Sequence, residues 1–382
     1  MRPLSGIRIV EIAAMGPVPW CGMVLAGMGA EVIRIDRAEA GTSRARRAPK
    51  FEVTDRGRRS IAVDLKSPHG VKAVLTLVSR ADAVMEGMRP GVVERLGIGP
   101  RECLRANPGI VFGRMTGWGQ DGPLALRAGH DINYIALSGA LHAIGAKGGP
   151  PLPPLNLVGD YGGGGAFLAA GLLAALLKAK TTKQGQVVDV AMIDGVANLM
   201  ALPFGRFAAG EWRDTRGENL LDGGMPWYAV YETADGRYVA VGAIEEPFYQ
   251  AFVQGLGIDA SSLPDRSDRE RWPALRSCFA QAFRTRSRDD WERVFESKDA
   301  CVTPVLSLSE VPHHPHHRAR GTFVEIDGVV QPAAAPRFPD TDGSASAAQP
   351  RDGSLRAVLD RWGCSAAEIE TILAGQPGED GA

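Results

Sequence analysis

Short apolar runs alternate with longer amphipathic ones through the first third of the chain. "GIRIVEI" (6–12) and "EVIRIDR" (31–37) are rich in β-branched residues and of strand length, and "PVPWCGMVLAGMGA" (17–30) between them has the length and small-residue content of a packed helix. That is a βαβ unit, so a parallel sheet begins here. The alternation continues with "SIAVDLK" (60–66) as strand, "SPHGVKAVLTLVSR" (67–80) as a helix capped by Ser67, "ADAVMEG" (81–87) as strand, "PGVVERLG" (90–97) as helix and "GIVFGRMTG" (109–117) as strand. Strands and helices in turn predict a doubly wound α/β fold with a parallel sheet.

The period changes after about residue 220. "WYAVYETADGRYVAVGAI" (227–244) and "TFVEIDGVVQP" (322–332) each read as two strands around an Asp-Gly turn, a strong hairpin signal. "RWPALRSCFAQAFR" (271–284) and "RDDWERVFESK" (288–298) carry the spacing of amphipathic helices. The expected organisation is a large Rossmann-like domain over 1–220 and a smaller α+β domain over 221–330. Residues 331–382 are expected to be a solvated linker, "PDTDGSASAAQPRDGS", followed by two short helices that return to the large domain.

Composition narrows the function classes. The 382 residues are 45% hydrophobic, enough for a sizeable core, and 43 basic residues nearly balance 44 acidic ones, so no charge excess points to nucleic acid or an anionic membrane as partner. Five scattered cysteines, never in a CxxC spacing, fit a reducing compartment and argue against a zinc site. The N-terminus lacks the pattern of a cleavable signal and the last residues are not "SKL", so a cytoplasmic location is the expectation. "GGGGAFLAAGLLAALLKAK" (162–180) is apolar, but its length and glycines favour a buried helix over a membrane span.

Several candidate sites weaken on inspection. A nicotinamide site is the first thought for a βαβ start, yet the turn after the first strand reads "AAMGPVPWCG", without G-x-G-x-x-G and with prolines where amide donors are needed. "GDYGGGGAF" lacks the Lys-Ser or Lys-Thr of a phosphate loop and reads better as close helix packing. The "HHPHH" run (313–317) cannot converge on one metal ion, and no carboxylate stands at ligand spacing. Arg37, Lys66 and Arg89 follow or end predicted strands at the carboxyl edge of the sheet. Singly each is a solvated cation; together they suit an anionic, phosphate-bearing ligand.

His130 and Asp160 stand apart. His130 lies between Gly129 and a predicted helix, "INYIALSGALHAI", which starts at Asp131, so its imidazole would be presented beside free helix N-terminal amides. Asp160 follows the apolar "PPLNLVG" and leads into the glycine run. Residue types alone leave two readings open: a pair of acid/base groups, or a hydrogen-bonded histidine and a helix cap.

The motifs "GHDINYIALSG", "PPLNLVGDYGGGG", "GRMTGWGQDGP", "LDGGMPWY" and "ADGRYVAVGAIEEPFY" resemble the α-methylacyl-CoA racemases of the family III CoA-transferase superfamily, in order, from "GIRIVEIA" to "DACVTPVLSLSEV". Met225 and Trp227 depart from the pattern, and the tail after about residue 340 matches weakly. The resemblance implies inversion of the α-carbon of 2-methylacyl-CoA thioesters by 1,1-proton transfer, with His130 and Asp160 on opposite faces of an enolate and no metal or redox cofactor. It implies that Glu245, with Glu246 as fallback, orients His130; the Asp131 N–H, at the helix N-terminus, is the candidate donor to the enolate oxygen. Gly129, Ile132, Asn133 and Tyr134 complete the "GHDINY" segment, and Asn156 and Tyr228 match acyl-pocket positions. Arg37 and Val63, Asp64, Leu65 and Lys66 match positions at the nucleotide end of CoA, where Arg89 is expected to join them. An interlocked homodimer is implied, in which Glu245 and Tyr228 could act across subunits. The rival within the superfamily is a CoA-transferase using Asp160 as nucleophile, which has no need of His130; a non-catalytic CoA-binding regulator would need neither.

Overall fold

The computed structural model describes residues 1–37, 49–339 and 355–374. The chain forms two compact units. One comprises Met1–Ser138, Pro154–Leu199 and the described residues from Pro315 onward; the other comprises Gly139–Pro153 and Met200–His314. The breaks expected at 220 and 330 therefore fall at 199 and 315, and a short excursion over 139–153 belongs to the second unit.

The first unit is built on a six-stranded sheet: β1 (Arg8–Ile12), β2 (Glu31–Arg37), β3 (Arg58–Val63), β4 (Ala83–Glu86), β5 (Val111–Thr116) and β6 (Gln186–Ala191), in the order β3-β2-β1-β4-β5-β6. Every pairing is parallel. The order grows outward from β1 to one side and from β4 to the other, which is the doubly wound arrangement predicted. Ile9 and Val10 face opposite sides, and both sides are covered, which is why the strands read as nearly unbroken apolar runs. The helices Pro17–Gly27 and Phe167–Thr182 cover one face. The helix Pro68–Val78, capped by Ser67 as predicted, covers the other together with the C-terminal helices Leu355–Arg361 and Ala366–Leu373. Trp362 is buried there, and its Nε1 donates to Glu31 at 2.8 Å.

β6 carries no strand signal among the expected elements, since its "QVVDVA" alternates with solvent. The single helix expected through 132–144 is interrupted: Asp131–Leu137 stops at Ser138, and Gly139 takes φ +86°. The apolar helix is longer than its composition suggested. A π-helical segment, Leu157–Ala166, runs directly into Phe167–Thr182, giving 26 residues that are long and apolar enough to cross a membrane; Leu168, Leu172 and Leu176 are instead packed on the sheet.

In the second unit β7 (Tyr228–Glu232), β8 (Tyr238–Gly242) and β9 (Val302–Pro304) form an antiparallel sheet against the helices Glu246–Leu256, Trp272–Phe283 and Arg288–Phe295. Its core is aromatic, with Tyr231, Phe252, Phe279, Phe283 and Trp291 all buried. The departures at Met225 and Trp227 find their reason here, since both pack into that core. The two Asp-Gly hairpins differ. Between β10 (Phe323–Ile326) and β11 (Val329–Pro332), Asp327 and Gly328 take φ +52° and +75°, a two-residue type I′ turn. In the β7–β8 hairpin only Gly236 is left-handed, and the loop is longer.

Candidate active site

A cavity of about 330 Å³ opens at the carboxyl edge of the large sheet, where the order reverses between β1 and β4. Loops that leave β1 (Met15, Gly16, Pro17) and β4 (Gly87 to Pro90) line it, as do the end of β5 and Met192 beyond β6. Open α/β sheets bind ligands at this crevice because the loops diverge there and leave a gap. His130 and Asp160 both line it.

His130 is the cap residue of the helix Asp131–Leu137, in extended backbone geometry, and its N–H donates to Asn133 Oδ1 at 3.0 Å. The cap fixes where the imidazole starts, and the residue is exposed on the cavity side. Asp160 sits in the π-helical segment. Such wide turns are rare and recur at functional sites. Here the glycine run allows it: a Cβ on Gly164 would stand 2.9 Å from the Pro17 ring, and one on Gly165 2.6 Å from the Trp20 ring. Burial raises the proton affinity of the Asp160 carboxyl; a 3.1 Å hydrogen bond from Asn156 Nδ2 opposes the rise, the nearby Asp131 carboxylate adds to it and His130 opposes it.

Two further contacts bind these elements together. The Asp160 N–H donates to Asp131 Oδ1 at 2.6 Å, and Gly159 leaves room for that approach, since a Cβ there would lie 2.3 Å from the same oxygen. Gly16, at φ +70°, brings the loop after β1 against Asp160, where a Cβ would stand 2.9 Å from Oδ2. Tyr134 is buried edge-on to Trp118, ring centroids 4.7 Å apart, and Gly117 and Gly129 make space for its ring. Burial raises the Tyr134 phenol pKa first, with Asp160 adding to the shift and Arg89 opposing it.

The cavity thus brings together His130, Asp160, Gly129, Tyr134 and Arg89 from the sequence-based set. Asn156, expected at the acyl pocket, donates its amide to the Asp160 carboxyl, an i to i+4 relation the sequence already offered. The Asp131 contact spans 29 positions and has no local signal. Arg37 pairs in register with Val63, so the two meet at the carboxyl edge of β2 and β3. Arg37, Asp64 and Lys66 are exposed, whereas the side chains of Val63 and Leu65 are core, leaving only their backbone for a ligand. Ile132 and Asn133 are exposed in the first turn after His130. Tyr228, at the start of β7, and Glu245, exposed before the helix Glu246–Leu256, belong to the second unit. Glu246 is engaged with Arg266. Among the described residues no cluster of three or more potential metal ligands occurs.

Residues 4–354 match CoA-transferase family III. The chain belongs to that family. It is 42% identical to the α-methylacyl-CoA racemase of Mus musculus over 372 residues, covering 96% of this chain and 95% of that one. Against the α-methylacyl-CoA racemase of Homo sapiens it is 40% identical over 371 residues, with the same coverage. A more distant relative, the succinyl-CoA–L-malate CoA-transferase α subunit of Chloroflexus aurantiacus, is 29% identical and aligned over 97% of this chain and 91% of its own. Among solved structures, a CaiB/BaiF family protein from Brucella suis superposes with a TM-score of 0.78 at 24% identity, over 92% of this chain and 96% of that one, a likeness of fold.

Proposed function

We propose that this protein is an isomerase that inverts the α-carbon of 2-methylacyl-CoA thioesters. The observation that carries the reading is one cavity lined by both an imidazole and a carboxyl of raised proton affinity; the extent of identity to the two racemases supports it. Racemisation by 1,1-proton transfer needs a base on one face of the α-carbon and an acid on the other. His130 takes the proton in one direction, imidazole being the side chain most often used as a general base. Asp160, protonated, returns one to the opposite face, and the other enantiomer uses the two groups in reverse order.

As the proton leaves, charge moves onto the thioester oxygen. The N–H of Asp131, in the first turn of the helix that His130 caps, is the donor we assign to it. Arg89 at the cavity, with Arg37 and the Val63–Lys66 edge, is assigned to the anionic groups of CoA. Glu245 is assigned to the second ring nitrogen of His130, within or across subunits of a homodimer, and Tyr228 to the acyl site. The steps move protons and no electrons, so the reading calls for no redox cofactor, and the charge on the oxygen is assigned to the Asp131 amide rather than to a metal. We place the protein in the cytoplasm, with neither a membrane nor nucleic acid as partner, on its balanced charge and scattered cysteines.

The 29% identity to a CoA-transferase keeps one rival, in which Asp160 attacks the thioester to give a mixed anhydride, the released CoA thiolate displaces the donor acid to form an aspartyl-CoA thioester, and CoA then passes to the acceptor acid. A single enantiomer of a 2-methylacyl-CoA incubated in deuterated water separates them. The racemase reading expects deuterium at the α-carbon and loss of configuration without an acceptor acid. Transfer of CoA to a labelled acid with the α-proton retained would overturn it.

A further inference from the structure

We propose that the Asp131 side chain is a positioning residue for the acid/base pair, holding the main chain at Asp160 and thereby setting its distance from His130. The inference rests on the racemase reading. A carboxylate in the first turn of a helix is ordinarily solvated and gains from the helix dipole where it stands. Asp131 is only 8% exposed, and it reaches across to the amide of Asp160. Its second oxygen, Oδ2, is buried without a hydrogen-bond partner among the described residues, a cost that local helix capping does not explain.

What the contact achieves is geometric. His130 is joined to Asp131 by one peptide bond, and the Asp131 carboxylate is joined to Asp160 by a charge-assisted hydrogen bond of 2.6 Å. The two acid/base residues, 30 positions apart in sequence, are therefore linked by one side chain and two short pieces of main chain. Gly159 belongs to the same device, because its missing side chain is what admits the carboxylate. A proton removed from one face and returned to the other requires both groups to be within reach of a single carbon. A small shift at one of them costs the step and leaves CoA binding alone.

The test compares Asp131→Ala, Asp131→Asn, Gly159→Ala and the Asp131→Ala/Gly159→Ala double variant with the wild type, using deuterium exchange and loss of configuration of a 2-methylacyl-CoA. Asp131→Ala should lower kcat about 100-fold while KM stays within about threefold, because only the step that needs both groups is harmed. Asp131→Asn keeps an oxygen for the Asp160 amide and should recover to within about tenfold of wild type. Gly159→Ala should resemble Asp131→Ala, and the double variant should be no worse than the poorer single one, as residues in one contact are not additive.

Retention of kcat in Asp131→Ala, a loss confined to KM or to melting temperature, no recovery with Asn, or multiplying losses in the double variant would each overturn the inference. Should Asp131→Ala fail to fold, Asp131→Asn and Gly159→Ala decide: an active Asn variant with an impaired Gly159→Ala supports the strut, and the reverse removes it. Absence of α-exchange in the wild type overturns the racemase reading, and this inference with it; exchange in the wild type with unaffected variants overturns the inference alone.

Discussion

Glu11 and Asp160 are both carboxyl groups drawn out of water in the first unit, and their surroundings are opposite. Glu11, on β1, is wholly buried, and Arg58 Nη1 donates to both of its oxygens, at 2.6 and 2.5 Å. Arg34 and Arg58 in turn share Asp55 Oδ1 at 2.7 and 2.8 Å, and Gly22 leaves the space, since a Cβ there would lie 2.4 Å from Glu11. Burial raises the proton affinity of Glu11 above the ordinary value, and the Arg58 charge offsets only part of that rise. Asp160 is half-buried and borders a cavity; an amide, a second carboxylate and an imidazole surround it. A guanidinium clamp that engages both oxygens ties the Glu11 carboxyl to its neighbours and makes it part of the scaffold. An amide and a like charge leave the proton exchangeable.

The sharpest way to break this contrast is to neutralise both groups. Asp160→Asn and His130→Gln should each lower racemisation by about 10²- to 10⁴-fold, the usual contribution of a positioned acid or base. Glu11→Gln should leave kcat per folded molecule unchanged. Comparable losses from Glu11→Gln and Asp160→Asn would erase the distinction. Next in size is a loss of stability. Arg58→Met strands Glu11 in the core and should cost about 3–5 kcal/mol, read as a lower denaturation midpoint, again with kcat per folded molecule unchanged. A midpoint within error of wild type would mean the network is ornamental.

The sequence exposed most of the first sheet because its strands are buried on both faces and its helices carry caps and periodicity, as at Ser67. β6 was hidden, since its first half alternates with solvent and matches no neighbouring signal. At the site, "GHD" announced a helix start bearing an imidazole, and that is where His130 stands. The partners of Asp160 were less legible. Asn156 lies one turn away and could have been read from spacing, whereas Asp131 and Gly16 reach Asp160 only through the fold, at separations no local pattern encodes. Nor does any sequence pattern distinguish the π-helical turn at Leu157–Ala166 from an ordinary glycine-rich helix start.

Gly16 gives a smaller effect on the same comparison. Alanine there must adopt φ +70° and place its methyl 2.9 Å from Asp160 Oδ2. Gly16→Ala should therefore lower kcat about tenfold, by displacing one acid/base group slightly. Gly22→Ala makes the closer approach, to Glu11, and should show its effect in the denaturation midpoint with kcat untouched. Exchange of those two outcomes would reverse the assignment of chemistry and scaffold.

The smallest effect is in how stability depends on pH. Burial is the largest cause holding the Asp160 carboxyl above the ordinary aspartate value; Asn156 and His130 work against the rise and Asp131 with it. The folded protein thus binds this proton more tightly than the unfolded chain does. Its contribution to stability is complete below the unfolded value of about 3.9 and is lost as pH rises through the folded value. Asparagine cannot ionise and escapes that loss. The melting temperature of Asp160→Asn should therefore gain on wild type as pH rises from about 4 through the folded value of Asp160. Glu86, also buried and raised to about 7, is present in both proteins and cancels from the difference. Calorimetry at matched ionic strength reads the gap directly. A gap that stays constant or narrows as pH rises would mean that the charged carboxylate is not penalised at this site, and the exchangeable proton assigned to Asp160 would lose its support.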